Sequence, residues 1–468
     1  MASNKKYDLI VNGSVKKSIC LLAIPTIISM LITSIYNAAD TYFVSNAGYG
    51  ASAIAAVSVV MSYMSIVQAI GFFFGHGAGN FISKKLGAML RDEAEVMSVV
   101  GVVLSFLTGV VLMILSLIFI DELVALLSND TMTQYTKQYF RYIIYATPFM
   151  TASFTLNNQL RFQGNSIYGM VGLGIGAILN IILDPIFIKL FDGVQGAAIA
   201  TMACQILSFI ILIVGTFYGN NLRLNLRKLK LNKNLLAELV KGGLPSLFRQ
   251  GTMSIATVCL TLMSKPFGDW AIAGVSIATR ITGIFYSILI GFGQGFQPVC
   301  GFNYGAKKYD RVREAFKFSV IVSTCYMLII CAISLIFSKQ LISIFNTNTN
   351  NLSQEDMLKA VDVGIRTLRL HALAFPVAGF YMVSNMMMQN IGRPVRASIL
   401  AVSRQGIAFI PLVLILPRFW DLFGILISQT IADIISFIIS IPIFISVMKE
   451  IRVMENSLKE DSLQQKLN

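Results

Sequence analysis

The sequence predicts an all-α integral membrane protein, with twelve transmembrane helices in two pseudo-symmetric six-helix lobes around a central cavity. Three observations predict it. Charged residues make up 13% of the 468-residue chain and hydrophobic ones 55%, with a mean hydropathy of +0.71. Soluble domains carry about 25% charged residues, so the surplus apolar surface must face lipid. Uncharged windows long enough to cross a bilayer recur along the chain, as in "VVGVVLSFLTGVVLMILSLIFI" at 99–120, where a span takes about 20 residues. Finally, the chain repeats itself.

Taken in order, spans 1 to 6 read near 17–40, 54–76, 95–120, 138–160, 167–188 and 194–217. Spans 7 to 12 read near 238–263, 271–297, 316–338, 361–388, 396–416 and 422–447. With the N-terminus inside, the inner segments are 1–17, 77–94, 161–166, 218–237, 298–315, 389–395 and 448–468. They gather the cations: Lys5, Lys6, Lys16 and Lys17, then Lys84, Lys85 and Arg91, then Arg223, Arg227, Lys228, Lys230 and Lys233, then Lys307, Lys308, Arg311 and Arg313. The outer loops hold single cations (Lys137, Lys189, Lys265, Lys339, Arg418). This is the positive-inside bias. It assigns the net charge of +14 to topology rather than to nucleic acid, and places both termini in the cytoplasm of a multi-pass cell-membrane protein. The first apolar run is too long for a cleavable signal. The six cysteines form no CxxC pair, so no disulfide frame or zinc site is implied. The last fifteen residues read as a loose tail.

The repeat sets the architecture. "AIAAVSVV" at 53–60 returns as "AIAGVSIA" at 271–278, an offset of 218. At that offset Gly75-His76-Gly77 meets Gly293-Gln294-Gly295, and Gly87-Ala88 meets Gly305-Ala306. Pro25 pairs with Pro245 at 220. Further on the offset is 228: Pro148 meets Pro376, Asn157 meets Asn385, Gly164 meets Gly392, and "SFII" at 208–211 meets "SFII" at 436–439. The Asn/Thr-rich stretch 346–354 accommodates the extra residues. Six spans per unit is even, so the halves are parallel repeats, of the kind that enclose a cavity and rock about it. The expected organisation is an N-lobe over 1–217, a basic linker over 218–237, a C-lobe over 238–447 and a cytoplasmic tail over 448–468.

Polar residues inside the spans point to the site. A carboxylate at mid-bilayer costs about 2.5–3.5 kcal/mol on insertion scales, so it faces a cavity or a partner. On span 1, Ser29, Thr33, Tyr36, Asn37 and Asp40 fall on one helical stripe. Counting from the inner ends, Asp40 lies 23 residues along span 1 and Asp184 lies 17 along span 5; Thr201 is 7 from the outer end of span 6. Asn180 is one turn before Asp184 on the same face, and Thr201, Gln205 and Ser208 form a stripe on span 6. Two carboxylates, an amide and a hydroxyl can thus converge in the outer half of the first lobe. Two carboxylates sharing a dry site cannot both ionise cheaply, so the pair suits proton binding; the same oxygens could ligate Na⁺. The bland reading is that Asp184 caps or kinks its helix beside Pro185, and that Asp40 is interfacial.

The chain resembles the MATE (multidrug and toxic compound extrusion) family. The likeness rests on "GFGQGFQPVCGFNYGAKKYDRVREAF" at 291–316, "NIILDPIFI" at 180–188, "GAAIAT" at 196–201 and the Asp of "NAADTYFV" at 37–44, and extends over about residues 15–447. The resemblance implies two lobes around a V-shaped cavity and export of bulky, often cationic organic compounds, driven by inward H⁺ or Na⁺. It implies a cation site at Asp40, Asn180, Asp184 and Thr201, joined by Asn157; the one metal expected is Na⁺, which Asp40 and Asp184 could ligate. It also implies a bend of span 1 at Pro25, against which stands a static proline kink. Tyr36, Thr33, Asn37, Tyr139 and Gln205 are expected to line the substrate cavity. No cofactor beyond the coupling ion and no nucleic acid is expected. The partners are small drugs or organic cations and membrane lipid, and the chain is read as a monomer.

In the repeat Asp40 corresponds to Leu260 and Asp184 to Leu412, which assigns coupling to the N-lobe. The C-lobe candidates are Arg249, Arg280, Asn385, Arg404 and Asp433. Arg404 or Arg249 paired with Asp433 would be a structural ion pair; a substrate role is the other reading. "NMMMQN" at 385–390 could offer an adaptable drug surface, although methionines at such positions mostly pack in cores. His76 and His371 read as structural. The rival functions are a lipid-linked glycan flippase, which wants a cationic cavity, and a membrane-embedded enzyme, for which no HExxH or nucleophile–base pair stands in the sequence. No Walker loop is present for an ATP-driven pump.

Overall fold

The computed structural model describes residues 6–46, 50–127, 133–191, 194–345 and 353–467, with the side chains at 36–46, 50–59, 126, 127, 135, 194, 345 and 461–467 outside that description. The described residues form twelve long helices and no strand. They are α1 (Val15–Asn46), α2 (Gly50–Gly87), α3 (Arg91–Ile118), α4 (Thr133–Phe162), α5 (Ser166–Leu190), α6 (Val194–Phe217), α7 (Lys233–Ser264), α8 (Asp269–Gly305), α9 (Tyr309–Ile336), α10 (Gln354–Asn390), α11 (Pro394–Ile415) and α12 (Pro417–Leu467). In lipid only such internally bonded segments span. Nine of them, among the described residues, are long and apolar enough to cross a membrane. Among the described residues α2, α4 and α7 fall short of that measure; α4 carries Lys137, Arg141, Asn157, Asn158, Gln159 and Arg161, and α7 carries Arg249 and Gln250. α12 breaks its helical path at Trp420 and Asp421, where Asp421 takes a φ of 45°.

The duplication is visible in the elements. Short amphipathic helices, Ile120–Leu127 after α3 and Ser338–Phe345 after α9, start 218 residues apart. Helices α1 to α6 form one lobe and α7 to α12 the other. The C-lobe core holds Phe296, Phe375 and the fully or almost fully buried Met386, Met387 and Met388. Those three methionines are therefore packing residues and offer no adaptable surface. A separate N-lobe core gathers Tyr63, Tyr139, Phe140, Ile143 and Met150.

The lobes meet through α1 against α8 and α2 against α7 and α8. Contact is tightest toward the end of the bundle that carries both chain termini. A Cβ on Gly295 would run into the backbone of Ala23, and one on Gly87 into the carbonyl of Phe302, so glycine is what lets these helices touch. Thr26 Oγ1 donates to the Gly291 carbonyl at 2.7 Å, and Ser83 Oγ to Asn390 Oδ1 at 3.2 Å. Among the described residues the interlobe hydrogen bonds of α1 end at Ser34 and Ser287, 3.2 Å apart, roughly 28 Å along α1 at 1.5 Å per residue.

A strap before α1 closes that end. Residues Asp8–Asn12 form one π-helical turn, with Ile10 and Val11 buried. Asn303 Nδ2 donates to the Ile10 carbonyl at 3.2 Å, and Lys308 Nζ to the Val11 carbonyl at 3.2 Å and Asn12 Oδ1 at 2.7 Å. Arg311 adds bonds to the carbonyls of Ile10 and Gly13. On the other lobe, the tip of Ile10 lies over Gly164, which has a φ of +76°, and Lys6 Nζ donates to Asn221 Oδ1 at 3.1 Å. Burial first, then the charge of Arg91, pushes Lys6 down to about 8. The strap thus holds both lobes. Replacing Val11 with Asp puts an unpaired charge into an apolar seat, which costs a few kcal/mol. Trypsin cleavage at Lys16 and Lys17 is then expected to speed up by more than about tenfold, tracking local opening; an unchanged rate refutes the bridging role.

Candidate functional site

Within the N-lobe, three buried polar side chains meet between α5 and α6. Asn180 and Asp184 sit one turn apart on α5, and Thr201 faces them from α6. Asn180 Nδ2 donates to Asp184 Oδ1 at 2.9 Å and to Thr201 Oγ1 at 3.2 Å. All three are at most 1% exposed. The approach needs Gly176, since a Cβ there would collide with Ser208 Oγ on α6. Asn180 Oδ1, fully enclosed, has no hydrogen-bond partner among the described residues. A cavity of about 40 Å³ opens beside the cluster, lined by Thr33, Gly176, Asn180, Thr201, Gln205 and Ser208 among others. That volume suits a water or a bare cation and is far too small for a drug-sized molecule. Asn180 and Thr201 line this cavity and Asp184 stands behind them, bonded to Asn180; amide, hydroxyl and carboxylate oxygens together are hard donors of the kind that suit a hard cation.

The side chains of Asp40, Tyr36 and Asn37 lie outside the described residues. The backbone of α1 still gives a level for position 40. Ile32 on α1 stands against Gly174 on α5, and the two helices run in the same direction. Eight residues further along each, position 40 is level with position 182, within one turn of Asp184.

Three expectations are corrected. Asn157 Oδ1 packs on Gly169 near the start of α5. That is eleven residues from Asn180, roughly 16 Å of helical rise, so Asn157 does not join the cluster. Its repeat counterpart Asn385 braces the C-lobe in the same way, donating to the Ala397 carbonyl at 2.7 Å. Tyr139 is 0% exposed inside the apolar N-lobe core and lines no accessible cavity. Arg161, assigned from sequence to an inner loop, is the penultimate residue of α4 and 2% exposed. The helix continues past the apolar window because that face is buried against other helices rather than against lipid. Sequence reasoning passed over Arg161 for that reason; the polar run "NNQLR" at 157–161 was the available signal. Pro25 is buried inside α1, which stays helical across it.

In the C-lobe, Arg404 Nε donates to Asp433 Oδ1 at 2.6 Å, with side-chain exposures of 18% and 3%. Tyr286 Oη donates to Asp433 Oδ2 at 3.0 Å, Gln429 Nε2 to Oδ1 at 2.8 Å, and the guanidinium lies 4.1 Å over the Tyr286 ring. Arg404 sits on a π-helical stretch, Ser403–Phe409, a departure often found at functional positions. At the 228-residue offset Arg404 matches Gly176, Asp433 matches Gln205, and Gln429 matches Thr201. The C-lobe therefore fills with a charged pair the space that the N-lobe leaves as a cavity. Arg249 does not join this pair, and Arg280 is exposed on α8.

The model of the MatE family matches residues 25–186 and 245–415, which are the two repeat units. The chain belongs to the MatE family. It is 26% identical over 453 residues to the multidrug export protein MepA of Staphylococcus haemolyticus, covering 96% of this chain and 97% of that one. Among solved structures it is similar to a MATE protein crystallised in complex with MaL6, with 25% identity, a TM-score of 0.88, and coverage of 97% and 99%. It is equally similar to a MOP superfamily transporter from Pyrococcus furiosus, with 25% identity, a TM-score of 0.88, and coverage of 96% and 99%; for that protein a reverse polarity of the binding pocket has been taken to suggest a different function. A MatE chain with twelve helices in two lobes is a multi-pass membrane protein.

The Arg404–Asp433 pair of this MatE chain gives a direct test of its structural weight. Arg404→Met or Asp433→Leu alone leaves a buried charge unpaired and is expected to destabilise by about 3–5 kcal/mol, whereas replacing both should recover most of the loss. Thermal unfolding of the purified variants reads this, and a double variant no better than the singles refutes it.

Proposed function

We propose that the protein is a cation-coupled antiporter that exports bulky organic compounds, including drugs, by alternating access, with H⁺ or Na⁺ bound in the N-lobe. The observation that carries this reading is the enclosed Asn180–Asp184–Thr201 cluster beside a cavity of ion size. A drug does not fit there, so cluster and substrate occupy different volumes and communicate through helix packing. The unpaired Asn180 oxygen supports a bound cation, either Na⁺ held by oxygen donors or a proton on a carboxyl group. Asp40, level with Asp184, is the second carboxylate of the coupling site. Entry of one unit charge across a 100 mV potential supplies about 2.3 kcal/mol. Pro25, where α1 lacks a backbone hydrogen bond, is the place where occupation of the site changes the course of α1. The clustering of Lys and Arg at the termini end supports a cytoplasmic location for both termini in the cell membrane.

The relatives named as multidrug exporters favour drugs over lipid-linked glycans as cargo. The Arg404 charge, already taken by Asp433, removes one argument for a glycan flippase. The test is dye efflux from proteoliposomes under an imposed proton or sodium gradient. Wild type is expected to respond to at least one gradient. Asp184→Asn and Asp40→Asn should lose coupled efflux by tenfold or more, at unchanged protein level. Transport insensitive to both gradients, or wild-type rates in both variants, would sink the reading.

A further inference from the structure

In the floor of the contact between the lobes, the hydrogen-bond partners that Arg161 finds among the described residues are all neutral. Arg161 Nη2 donates to His76 Nε2 at 3.2 Å, to Asn158 Oδ1 at 2.7 Å and to Gln297 Oε1 at 3.4 Å. An arginine only donates, so His76 Nε2 is the acceptor. The ring proton therefore sits on Nδ1, which donates to the Phe72 carbonyl at 3.0 Å. His76 is neutral in this arrangement and cancels no charge. Arg161 and Gln297 are nearly or fully buried, yet Arg161 Nε and Gln297 Nε2 find no acceptor among the described residues.

Arg249 stands over this layer. Gly242, Ser246 and Arg249 continue one face of α7, and Gln389 Nε2 binds both the Gly242 carbonyl and Ser246 Oγ, at 2.9 and 2.7 Å. Arg249 is one turn beyond Ser246, 17 residues into α7, and within electrostatic reach of both His76 and Arg161. Unlike Arg161 it keeps some accessible surface. Among the described residues it forms no ion pair and its guanidinium donates no hydrogen bond. Among the described residues, the fully buried carboxylates of the two lobes are engaged elsewhere: Asp184 with Asn180, and Asp433 with Arg404.

A guanidinium at this depth without a counter-charge is costly unless something pairs with it. We propose that Arg249 is an anion subsite between the lobes, which takes the carboxylate of an amphiphilic organic substrate. A planar fork of donors matches a carboxylate with two parallel bonds. One accessible guanidinium, with the second cation sealed below it, fits a single negative charge better than a pyrophosphate. This rests on the export reading and narrows it: the favoured cargo includes zwitterions with a free carboxylate, beyond simple cations.

The test uses rhodamine B, which has a free carboxylate, and its ethyl ester, which lacks one. Binding of both to the purified full-length protein in nanodiscs is measured by fluorescence anisotropy. Wild type is expected to favour rhodamine B by about tenfold or more, in line with a charge-assisted hydrogen-bonded pair. The preference should collapse to within about twofold in Arg249→Gln and return in part in Arg249→Lys. A ratio of affinities is insensitive to a fraction of misfolded protein. Equal binding of the two dyes to wild type, or a preference that survives Arg249→Gln, overturns the subsite while the export reading stands. If wild type binds neither dye, both fall.

Discussion

A polar side chain inside a lipid-facing bundle must be satisfied by another part of the same chain. That constraint organises everything described above. It pairs Arg404 with Asp433, ties Asn180 to Asp184 and Thr201, and collects Asn158, Arg161, His76 and Gln297 into one layer. Where the accounting is complete, the group is scaffold. Where a remainder is left, as at Asn180 Oδ1, a cavity of ion size can lie beside it.

The two lobes share a fold and divide its uses. Gly176 and Arg404 occupy the same position of the duplicated unit, as do Gln205 and Asp433. With glycine, α5 closes on α6 and a small polar cavity remains beside it. With arginine, the same space is occupied, a carboxylate is required opposite, and Tyr286 and Gln429 complete the set. Two substitutions on one framework separate an ion-sized site from a rigid brace. The chain thereby keeps its carboxylate–amide–hydroxyl cluster in one lobe and a charged brace in the other.

Much of this was legible in the sequence, and what was not has a physical cause. The spans and the repeat follow from hydropathy and offset alone, because lipid demands long apolar helices. Asn180, Asp184 and Thr201 could be placed together because depth along a helix is arithmetic. Asn157 and Tyr139 could not be placed, because their position depends on the face each presents to a neighbour, and α4 is buried on several sides. Arg161 looked like a loop cation for the same reason: a charge at the end of an apolar window reads as the edge of the membrane, whereas here α4 extends further and turns that charge inward. The strap was unreadable, since its apolar pair Ile10–Val11 is too short to form a pattern.

The strap also has a bearing on how the molecule is made. Residues 6–14 leave the ribosome before the residues that seat them, which are Gly164, Asn221, Asn303, Lys308 and Arg311. The N-lobe seats, Gly164 and Asn221, follow the fourth and sixth long helices, whereas Asn303, Lys308 and Arg311 come only with the end of the eighth and the turn beyond it. The segment can therefore reach its N-lobe seats while the first lobe assembles, and can fasten fully only once the eighth span and the turn beyond it are in place. An N-lobe inserted without its twin thus carries a clasp fastened on one side only, with the carbonyls of Ile10 and Val11 lacking the side chains that bind them in the finished protein.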